Sequence, residues 1–271
     1  MISIEGPLLL VGCGKMGGAL LTGWLDRGVP PERVVIVEPQ AASVEGFIGR
    51  GVRHLPSLGA LHDVPEAVLL AVKPQMMDEA LAGLERFAAH RSLFVSIAAG
   101  KTLDYFGRKL GHAAAVVRTM PNTPAAVGRG MTVMIANDRV SGGQRALAEA
   151  LMQAAGETAW LDEEGQIDAV TAVSGGGPAY VFLLIECLAE AGREAGLPAE
   201  LAERLARVTV AGSGELVHRA SESPARLREN VTSPGGTTLE ALKILMAEDG
   251  LQPLMTRAIA AAARRSRELA Q

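Results

Sequence analysis

Short apolar runs without polar alternation recur along the first part of the chain, and helical patterns separate them. Strands that lack alternation are buried on both faces, which is typical of a parallel sheet covered by helices on each side. The pattern therefore predicts a Rossmann-like, doubly wound α/β domain over residues 1–162. Its predicted strands are residues 8–11, 34–37, 67–72, 93–97, 114–117 and 131–135.

The pattern changes near residue 162, where strand-like runs give way to helical periodicity. An all-helical second domain is predicted over residues 163–271, with helices at 167–191, 199–220, 238–247 and 253–270. The run Ser174-Gly175-Gly176-Gly177-Pro178 should break the first of these helices, since glycine costs about 1 kcal/mol and proline about 3 kcal/mol per helix position. A ligand, another backbone or close helix packing would each explain a break in a buried helix.

The first strand leads into a glycine turn, Gly12-Cys13-Gly14-Lys15-Met16-Gly17, and then into a helix. In a dinucleotide site the first glycine permits the turn, the second lets the backbone approach a pyrophosphate, and the third lets the helix pack on the strand. Glu38 ends the second strand, where a carboxylate would accept hydrogen bonds from a ribose. We therefore expect NAD(P)H binding rather than a purely structural turn, and Glu38 favours NADH because it would repel a 2′-phosphate.

Three further segments follow predicted strands, at the sheet edge where open α/β folds bind ligands. In Ala71-Val72-Lys73-Pro74 the lysine precedes a proline, which predicts an extended residue at the start of a helix. Ser96-Ile97-Ala98-Ala99-Gly100 consists of small residues that leave room for a flat ring or ribose. Met120-Pro121-Asn122-Thr123-Pro124 offers two polar side chains on a rigid loop. A solvated lysine and a rigid turn are the alternatives for the first and third segments.

A polar turn, Ser233-Pro234-Gly235-Gly236-Thr237-Thr238, precedes one of the predicted helices in the second domain. Free backbone N–H groups at the amino end of a helix, together with the helix dipole, favour binding of a small anion such as a carboxylate. An ordinary serine N-cap with a glycine-rich turn is the alternative.

Composition narrows the class of protein. The 271 residues are 48% hydrophobic with a net charge of −4, as in a globular protein of one large or two modest domains. Two distant cysteines and five scattered histidines predict neither a disulfide framework nor a metal site. The absence of a Lys/Arg-rich tract makes nucleic acid an unexpected partner.

The apolar runs near the start of the chain are short. We expect no apolar run of the chain to reach the roughly 18 to 20 residues that a membrane span needs, because Gly12, Lys15 and Asp26 interrupt the most hydrophobic N-terminal part. The first residues also lack the basic start of a signal peptide. The expected location is therefore the cytoplasm, without a membrane partner.

These motifs, in this order and over nearly the whole chain, resemble the pyrroline-5-carboxylate reductase family. The two most specific are Ser174-Gly175-Gly176-Gly177-Pro178-Ala179-Tyr180 and Glu229-Asn230-Val231-Thr232-Ser233-Pro234-Gly235-Gly236-Thr237-Thr238. The resemblance implies hydride transfer from NADPH or NADH to the cyclic imine 1-pyrroline-5-carboxylate, giving L-proline. It also implies a homodimer formed through the helical domain, sometimes within a larger ring.

The resemblance further assigns site residues. It places the substrate carboxylate on backbone amides of Ser233, Gly236 and Thr237, the Thr238 hydroxyl at the ring nitrogen as the catalytic group, and Glu164 near the substrate. The cofactor-binding residues implied by the motifs and the resemblance are Val11, Gly12, Cys13, Gly14, Lys15, Met16, Gly17, Glu38, Ala71, Val72, Lys73, Pro74, Ala98, Ala99 and Asn230. Family precedent favours NADPH, whereas Glu38 favours NADH.

Two rival functions make different demands on the same residues. A β-hydroxyacid dehydrogenase needs a base to oxidise an alcohol. In the pattern typical of that family, a lysine follows a glycine-rich break by one helical turn. No Lys or Arg occurs between Gln166 and Gly192 of this chain, which argues against that chemistry. A nucleotide-sensing protein without catalysis could lose the carboxylate turn or Thr238, and both are present.

Overall fold

The computed structural model describes residues 2–269, apart from the side chain of Ala60. Its eight-stranded sheet has the order β3-β2-β1-β4-β5-β6-β7-β8, and all neighbouring strands are parallel except β6 and β7, which pair antiparallel. The strands are β1 (Leu8–Val11), β2 (Val34–Val37), β3 (Arg53–Leu55), β4 (Ala67–Leu70), β5 (Leu93–Ser96), β6 (Ala115–Met120), β7 (Gly130–Ala136) and β8 (Gly156–Trp160).

Helices connect these strands and make up the C-terminal part of the chain. They are α1 (Lys15–Asp26), α2 (Glu45–Ile48), α3 (Met77–Leu81), α4 (Glu85–Ala88), α5 (Leu103–Leu110), α6 (Gly142–Gln153), α7 (Ile167–Val170), α8 (Gly177–Glu194), α9 (Ala199–Arg219), α10 (Pro224–Asn230), α11 (Thr237–Leu245) and α12 (Leu251–Leu269).

The predicted parallel sheet is confirmed apart from the antiparallel pair β6 and β7, and two of its strands were missed. β3 and β8 are short and partly exposed, and both carry polar residues, so they lack the apolar run that marks a buried strand. β6 also runs beyond the predicted end at residue 117 and includes Arg118. The polar residues at its end hid that extension.

Both faces of the sheet are covered, as the unalternating strands require. On one face Leu8 and Leu10 of β1 belong to a core that includes Trp24 of α1. On the other face Leu9 and Val11 join a core that includes residues of α3, α4 and α5. Successive side chains of a strand point to opposite faces, so an apolar residue at every position buries both.

The strand order places a crevice at the carboxyl end of β1. β1 lies between β2 and β4: the chain runs from β1 to β2 and β3 on one side and then crosses to β4 on the other side of β1. Ligands of open α/β sheets bind at such a switch point, outside the carboxyl ends of the strands. The glycine turn that follows β1 therefore lies where the fold offers a binding site.

The chain forms two compact units. The first contains the sheet, the residues up to Gly175 and the end of α12 from Ala263 onward; the second contains Gly176–Ala262. The boundary predicted at residues 162 and 163 lies just after the last strand, and it stays a prediction of the domain limits.

The helical character of residues after 162 is confirmed, with differences in detail. α10 was missed, and the predicted end of the last helix at Ala270 lies outside the described residues. The predicted break in the α-helix is confirmed, because α7 ends at Val170, a π-helical turn follows at Thr171–Gly175, and α8 begins only at Gly177. The expectation that this helix is buried is wrong, since α8 contains no buried residue within the single chain.

The helical segment Glu164–Glu194 is long and apolar enough to cross a membrane by length and composition alone. Of its most apolar 18 residues, 6% are buried within the chain. The expectation that no such segment exists rested on the N-terminal part of the chain. Core helices of soluble proteins and helices that pair between subunits have the same composition.

Candidate active site

The glycine turn between β1 and α1 has the geometry that dinucleotide binding requires. Gly12 has φ +85°, a left-handed conformation that favours glycine, and a Cβ there would lie 2.8 Å from Cγ1 of Val72. A Cβ at Gly17 would lie 2.8 Å from the carbonyl oxygen of Gly12, so α1 packs tightly on the turn. At Gly14 a Cβ would meet nothing within 4 Å. The second glycine thus leaves the amino end of α1 open to a ligand.

Glu38 is held against this turn by backbone donors. Its Oε2 accepts a hydrogen bond from the Cys13 amide at 3.0 Å, and its Oε1 accepts one from the Gln40 amide at 3.1 Å. His54 Nε2 donates to the Glu38 carbonyl oxygen at 2.7 Å. The carboxylate is therefore fixed beside the glycine turn, at the position that contacts an adenosine ribose in dinucleotide folds.

A cavity of about 710 Å³ opens at the carboxyl ends of β1, β2 and β4. Of the predicted cofactor residues, those that line it are Val11, Gly12, Cys13, Gly14, Glu38, Ala71, Val72 and Lys73. Those outside its lining are Lys15, Met16, Gly17, Pro74, Ala98, Ala99 and Asn230. The structure thus brings together the predicted residues of the first turn, the second strand and the fourth strand.

Cys13 is a buried thiol in the wall of this cavity. Burial, and secondarily the neighbouring Glu38 carboxylate, raises the pKa of the Cys13 thiol to about 11. The side chain is therefore protonated at neutral pH and acts as a small apolar wall rather than as a nucleophile.

The segment after β4 has the predicted local conformation. Lys73 is extended, with φ −61° and ψ 147°, and the 3₁₀ turn Pro74–Met76 precedes α3. The Ala71 amide donates to the Val11 carbonyl oxygen at 2.8 Å. This hydrogen bond ties the segment to the end of β1, beside the glycine turn.

The small residues after β5 differ in their exposure. Ala98 is buried and its amide donates to Ser96 Oγ at 3.2 Å, whereas Ala99 is exposed. Gly100 has φ +73°, and a Cβ there would lie 3.0 Å from the carbonyl oxygen of Leu269. The end of α12 therefore closes over this segment, and glycine is required for the close approach.

Glu164 lies in an ion pair with the sheet. Its Oε1 accepts a hydrogen bond from Arg118 Nη1 at 2.6 Å and another from the Leu103 amide at 2.9 Å. Arg118 is 5% exposed and Glu164 is 29% exposed. A predicted substrate residue is thus anchored by β6 and by the amino end of α5.

The loop after β6 is joined to the π-helical turn. Asn122 Nδ2 donates to Ser174 Oγ at 3.1 Å, and its Oδ1 accepts from the Met131 amide at 2.8 Å. A Cβ at Gly175 would collide with Cε of Met120. Cε of Met120 is the movable end of a flexible side chain, so packing does not require glycine at Gly175. The explanations for the glycine run therefore stay open, whereas Asn122 has a structural role in this loop.

The Ser233-to-Thr238 turn forms the amino end of α11 in the helical unit. Gly235 has φ +69°, which requires glycine, and the Gly236 amide donates to the Ser233 carbonyl oxygen at 3.0 Å. Gly236 is the N-cap, and among the described residues no side chain caps the first turn. The serine N-cap alternative is therefore wrong. The helix instead begins at Thr237, and Thr237 and Thr238 are exposed within the single chain.

Asn230 is the last residue of α10 and is exposed. The Ser223 side chain caps the start of this helix, and Thr232 donates to the Arg228 carbonyl oxygen at its end. These hydrogen bonds define the local fold of the residues before the turn, and the cofactor role of Asn230 stays a prediction.

Sequence reasoning missed Arg118. It follows an apolar run and was placed just beyond the predicted strand. Continued alternation from Val116 would have put Arg118 on a buried face, and a charged residue at such a position needs a partner. The sequence could therefore have indicated a buried, paired Arg118, but it could not identify Glu164 as the partner.

Comparisons with known proteins agree with this architecture. Residues 164–269 match the family model described as pyrroline-5-carboxylate reductase dimerisation, and residues 8–100 match the model described as NADP oxidoreductase, coenzyme F420-dependent. A pyrroline-5-carboxylate reductase of Synechocystis sp. is 41% identical over 96% of this chain and 97% of its own length.

Solved structures are similar over the same extent. A pyrroline-5-carboxylate reductase from Coxiella burnetii has a TM-score of 0.92 and 35% identity, covering 99% of this chain and 100% of its own. A Plasmodium falciparum pyrroline carboxylate reductase with NADP bound has a TM-score of 0.82 and 27% identity, covering 98% and 99%. Because the Synechocystis and Coxiella burnetii relatives are 41% and 35% identical over nearly their full length, and because the chain has both the glycine turn and the helical dimerisation region, it belongs to the pyrroline-5-carboxylate reductase family.

Proposed function

We propose that the protein reduces 1-pyrroline-5-carboxylate to L-proline with hydride from NADPH or NADH, in the cytoplasm. The observation that carries the proposal is the uncapped amino end of α11, formed by Gly236, Thr237 and Thr238 in a chain of this family. Backbone N–H groups that lack a capping side chain, at the positive end of a helix dipole, suit a substrate carboxylate.

The residues of the first unit fit a dinucleotide. Gly14 leaves the backbone accessible, Glu38 is fixed to accept ribose hydroxyls, and the cavity of about 710 Å³ extends along the strand ends. When bound there, the reduced nicotinamide supplies the hydride. The complete proposed cofactor set is the one implied by the sequence, from the glycine turn, the second and fourth strands, the small residues after β5, and Asn230.

The protein's own residues need to bind the substrate and orient it toward the hydride. A protonated cyclic imine accepts hydride at its carbon, and the C=N π electron pair moves to the nitrogen, which becomes a secondary amine. The backbone amides at Ser233, Gly236 and Thr237 would fix the carboxylate, and the Gly236 amide would share its existing hydrogen bond to the Ser233 carbonyl oxygen with that ligand. The Thr238 hydroxyl would hydrogen-bond the nitrogen as the catalytic group. Glu164 would complement the positive charge.

Glu38 bears on cofactor preference. Its carboxylate accepts hydrogen bonds from the Cys13 and Gln40 amides, so a 2′-phosphate bound beside it would meet a negative charge instead of a donor. We propose a preference for NADH on this ground, against the NADP bound in the Plasmodium falciparum relative.

The helical unit supports a homodimer. α8 has no buried residue in the single chain, and its exposed apolar residues include Val181, Phe182, Leu183, Leu184 and Leu188. Contiguous apolar surface of this kind marks an interface. A second copy of this chain would cover the face, since residues 164–269 match a dimerisation family, and a larger ring of dimers is compatible with it.

An activity assay tests the function. Purified protein is incubated with 1-pyrroline-5-carboxylate and NADH or NADPH, and oxidation of the cofactor is followed; 3-hydroxy acids with NAD⁺ or NADP⁺ are the comparison. Imine reduction without oxidation of hydroxy acids supports the proposal, and the opposite result would refute it. Light scattering measures the subunit number, and a monomer would refute the dimer.

A further inference from the structure

Arg118 occupies an unusual position in the sheet. Within residues 2–269 it is the only charged residue that is buried. It lies on β6, beside Ser96 of β5 and Ile135 of β7, on the same face as Val116 of the second core. Burial of a guanidinium is costly unless the charge is paired.

The partner is Glu164, and only one of its two carboxylate oxygens is used. Oε1 takes both donors, Arg118 Nη1 at 2.6 Å and the Leu103 amide at 2.9 Å. Among the hydrogen bonds of the described residues, none ends on Oε2. The side chain of Glu164 is 29% exposed, so this second oxygen belongs to a carboxylate that a ligand can reach.

A stabilising role alone does not account for this pair. Apolar residues of similar volume often stabilise a fold as well as a buried ion pair does, or better. β6 also has apolar residues at Val116 and Val117, where packing alone is needed. What a guanidinium and a helix-terminal amide add is a fixed direction for the carboxylate, because two donors on one oxygen restrict its rotation.

We propose that Arg118 is a positioning residue for the reductase, and this inference rests on the proposed function. With the Leu103 amide it occupies Oε1 of Glu164 and so presents Oε2 to the ring N–H of a cyclic iminium substrate or a cyclic ammonium product. The ligand class is a five-membered ring that carries both a carboxylate and a protonated nitrogen.

A pair of ligands isolates this hydrogen bond. L-Proline carries the ring N–H, and its ring-oxygen isostere, tetrahydrofuran-2-carboxylate, lacks it but keeps the carboxylate. The dissociation constants of both are measured by calorimetry on the full-length protein, and their ratio is compared between variants. A structural defect would weaken both ligands together and leave the ratio unchanged.

In Arg118→Gln and in Glu164→Gln we expect the ratio to shift about tenfold toward the isostere, as for loss of a hydrogen bond to a charged group. The double variant should shift no further than Glu164→Gln alone, because Arg118 acts through Glu164. Arg118→Lys should restore part of the ratio. Arg108→Gln removes an exposed arginine paired with Asp104 and is the matched control, with the wild-type ratio.

A wild-type ratio in Arg118→Gln would overturn the inference, as would a further shift in the double variant. If Arg118→Gln does not fold, Glu164→Gln decides, and a wild-type ratio in that variant would overturn the inference. The proposed function fails separately, if the wild-type protein neither reduces the imine nor binds either ligand.

Discussion

Replacing Glu38 by serine should switch the cofactor preference toward NADPH. The carboxylate now accepts hydrogen bonds from the Cys13 and Gln40 amides, at 3.0 and 3.1 Å. Glu38→Ser removes the charge and frees both donors. A 2′-phosphate that is repelled in the wild-type protein would then meet two N–H groups, while the ribose of NADH would lose its acceptor.

The size of the effect follows from the setting of Glu38, which is partly buried. Two unit charges about 5 Å apart repel by roughly 1 kcal/mol in water and by about 3 kcal/mol at the effective dielectric constant of a protein surface, so about 2 kcal/mol is a fair middle value. Loss of the ribose hydrogen bonds adds about 1 kcal/mol against NADH. Together these amount to about 3 kcal/mol, a change of about a hundredfold.

The measurement is kcat/KM for NADPH divided by kcat/KM for NADH, at saturating imine and fixed ionic strength. Glu32→Ser is the matched control, since it removes the same charge at the other end of β2, where Glu32 is exposed in a 3₁₀ turn. The reasoning is refuted if Glu38→Ser changes the ratio no more than Glu32→Ser does, or if the wild-type protein already prefers NADPH strongly.

Three further variants test other parts of the site. Thr238→Ala should lower kcat for imine reduction about a hundredfold and leave NADH affinity unchanged, because the hydroxyl meets the reacting nitrogen. Gly17→Ala should lower the free energy of unfolding by about 1–3 kcal/mol, since its Cβ would lie 2.8 Å from the Gly12 carbonyl oxygen. In Cys187→Ser protein, iodoacetamide should label Cys13 slowly at pH 8 and faster as the pH approaches its pKa of about 11.

A control variant or a reference rate accompanies each of these three measurements. Thr237→Ala should keep near wild-type kcat, because Thr237 is proposed to act through its backbone; equal losses in both threonine variants would argue against the role of Thr238. Gly14→Ala should fold normally, since its Cβ meets nothing within 4 Å, yet bind NADH weakly. Labelling of Cys13 as fast as a small free thiol at pH 8 would contradict the burial argument.

Short-range sequence patterns predicted most of the fold. Unalternating strands predicted a sheet covered on both faces, and Leu8 to Val11 do divide between two cores. The glycine spacing likewise predicted a turn in which Gly12 and Gly17 have no room for a side chain. Such features depend on neighbours along the chain, so the sequence records them directly.

The hydrogen-bond partners of the site residues could not be predicted from neighbouring residues in the sequence. Glu164 pairs with Arg118, 46 residues away, and Glu38 accepts from the Cys13 amide, 25 residues away. Both contacts exist because the sheet brings distant strand ends to one edge. The roles of the predicted site residues stay predictions, since each depends on a bound ligand.

By itself the sequence determined the parallel sheet, the glycine turn, the helical second part and the family resemblance, because periodicity and spacing are properties of contiguous residues. Only the tertiary structure decided that α11 begins without a capping side chain, that α8 leaves its apolar residues exposed, and that Arg118 and the Leu103 amide share one oxygen of Glu164. These features depend on how residues that are distant in the sequence are placed in space, and only the folded chain fixes those positions.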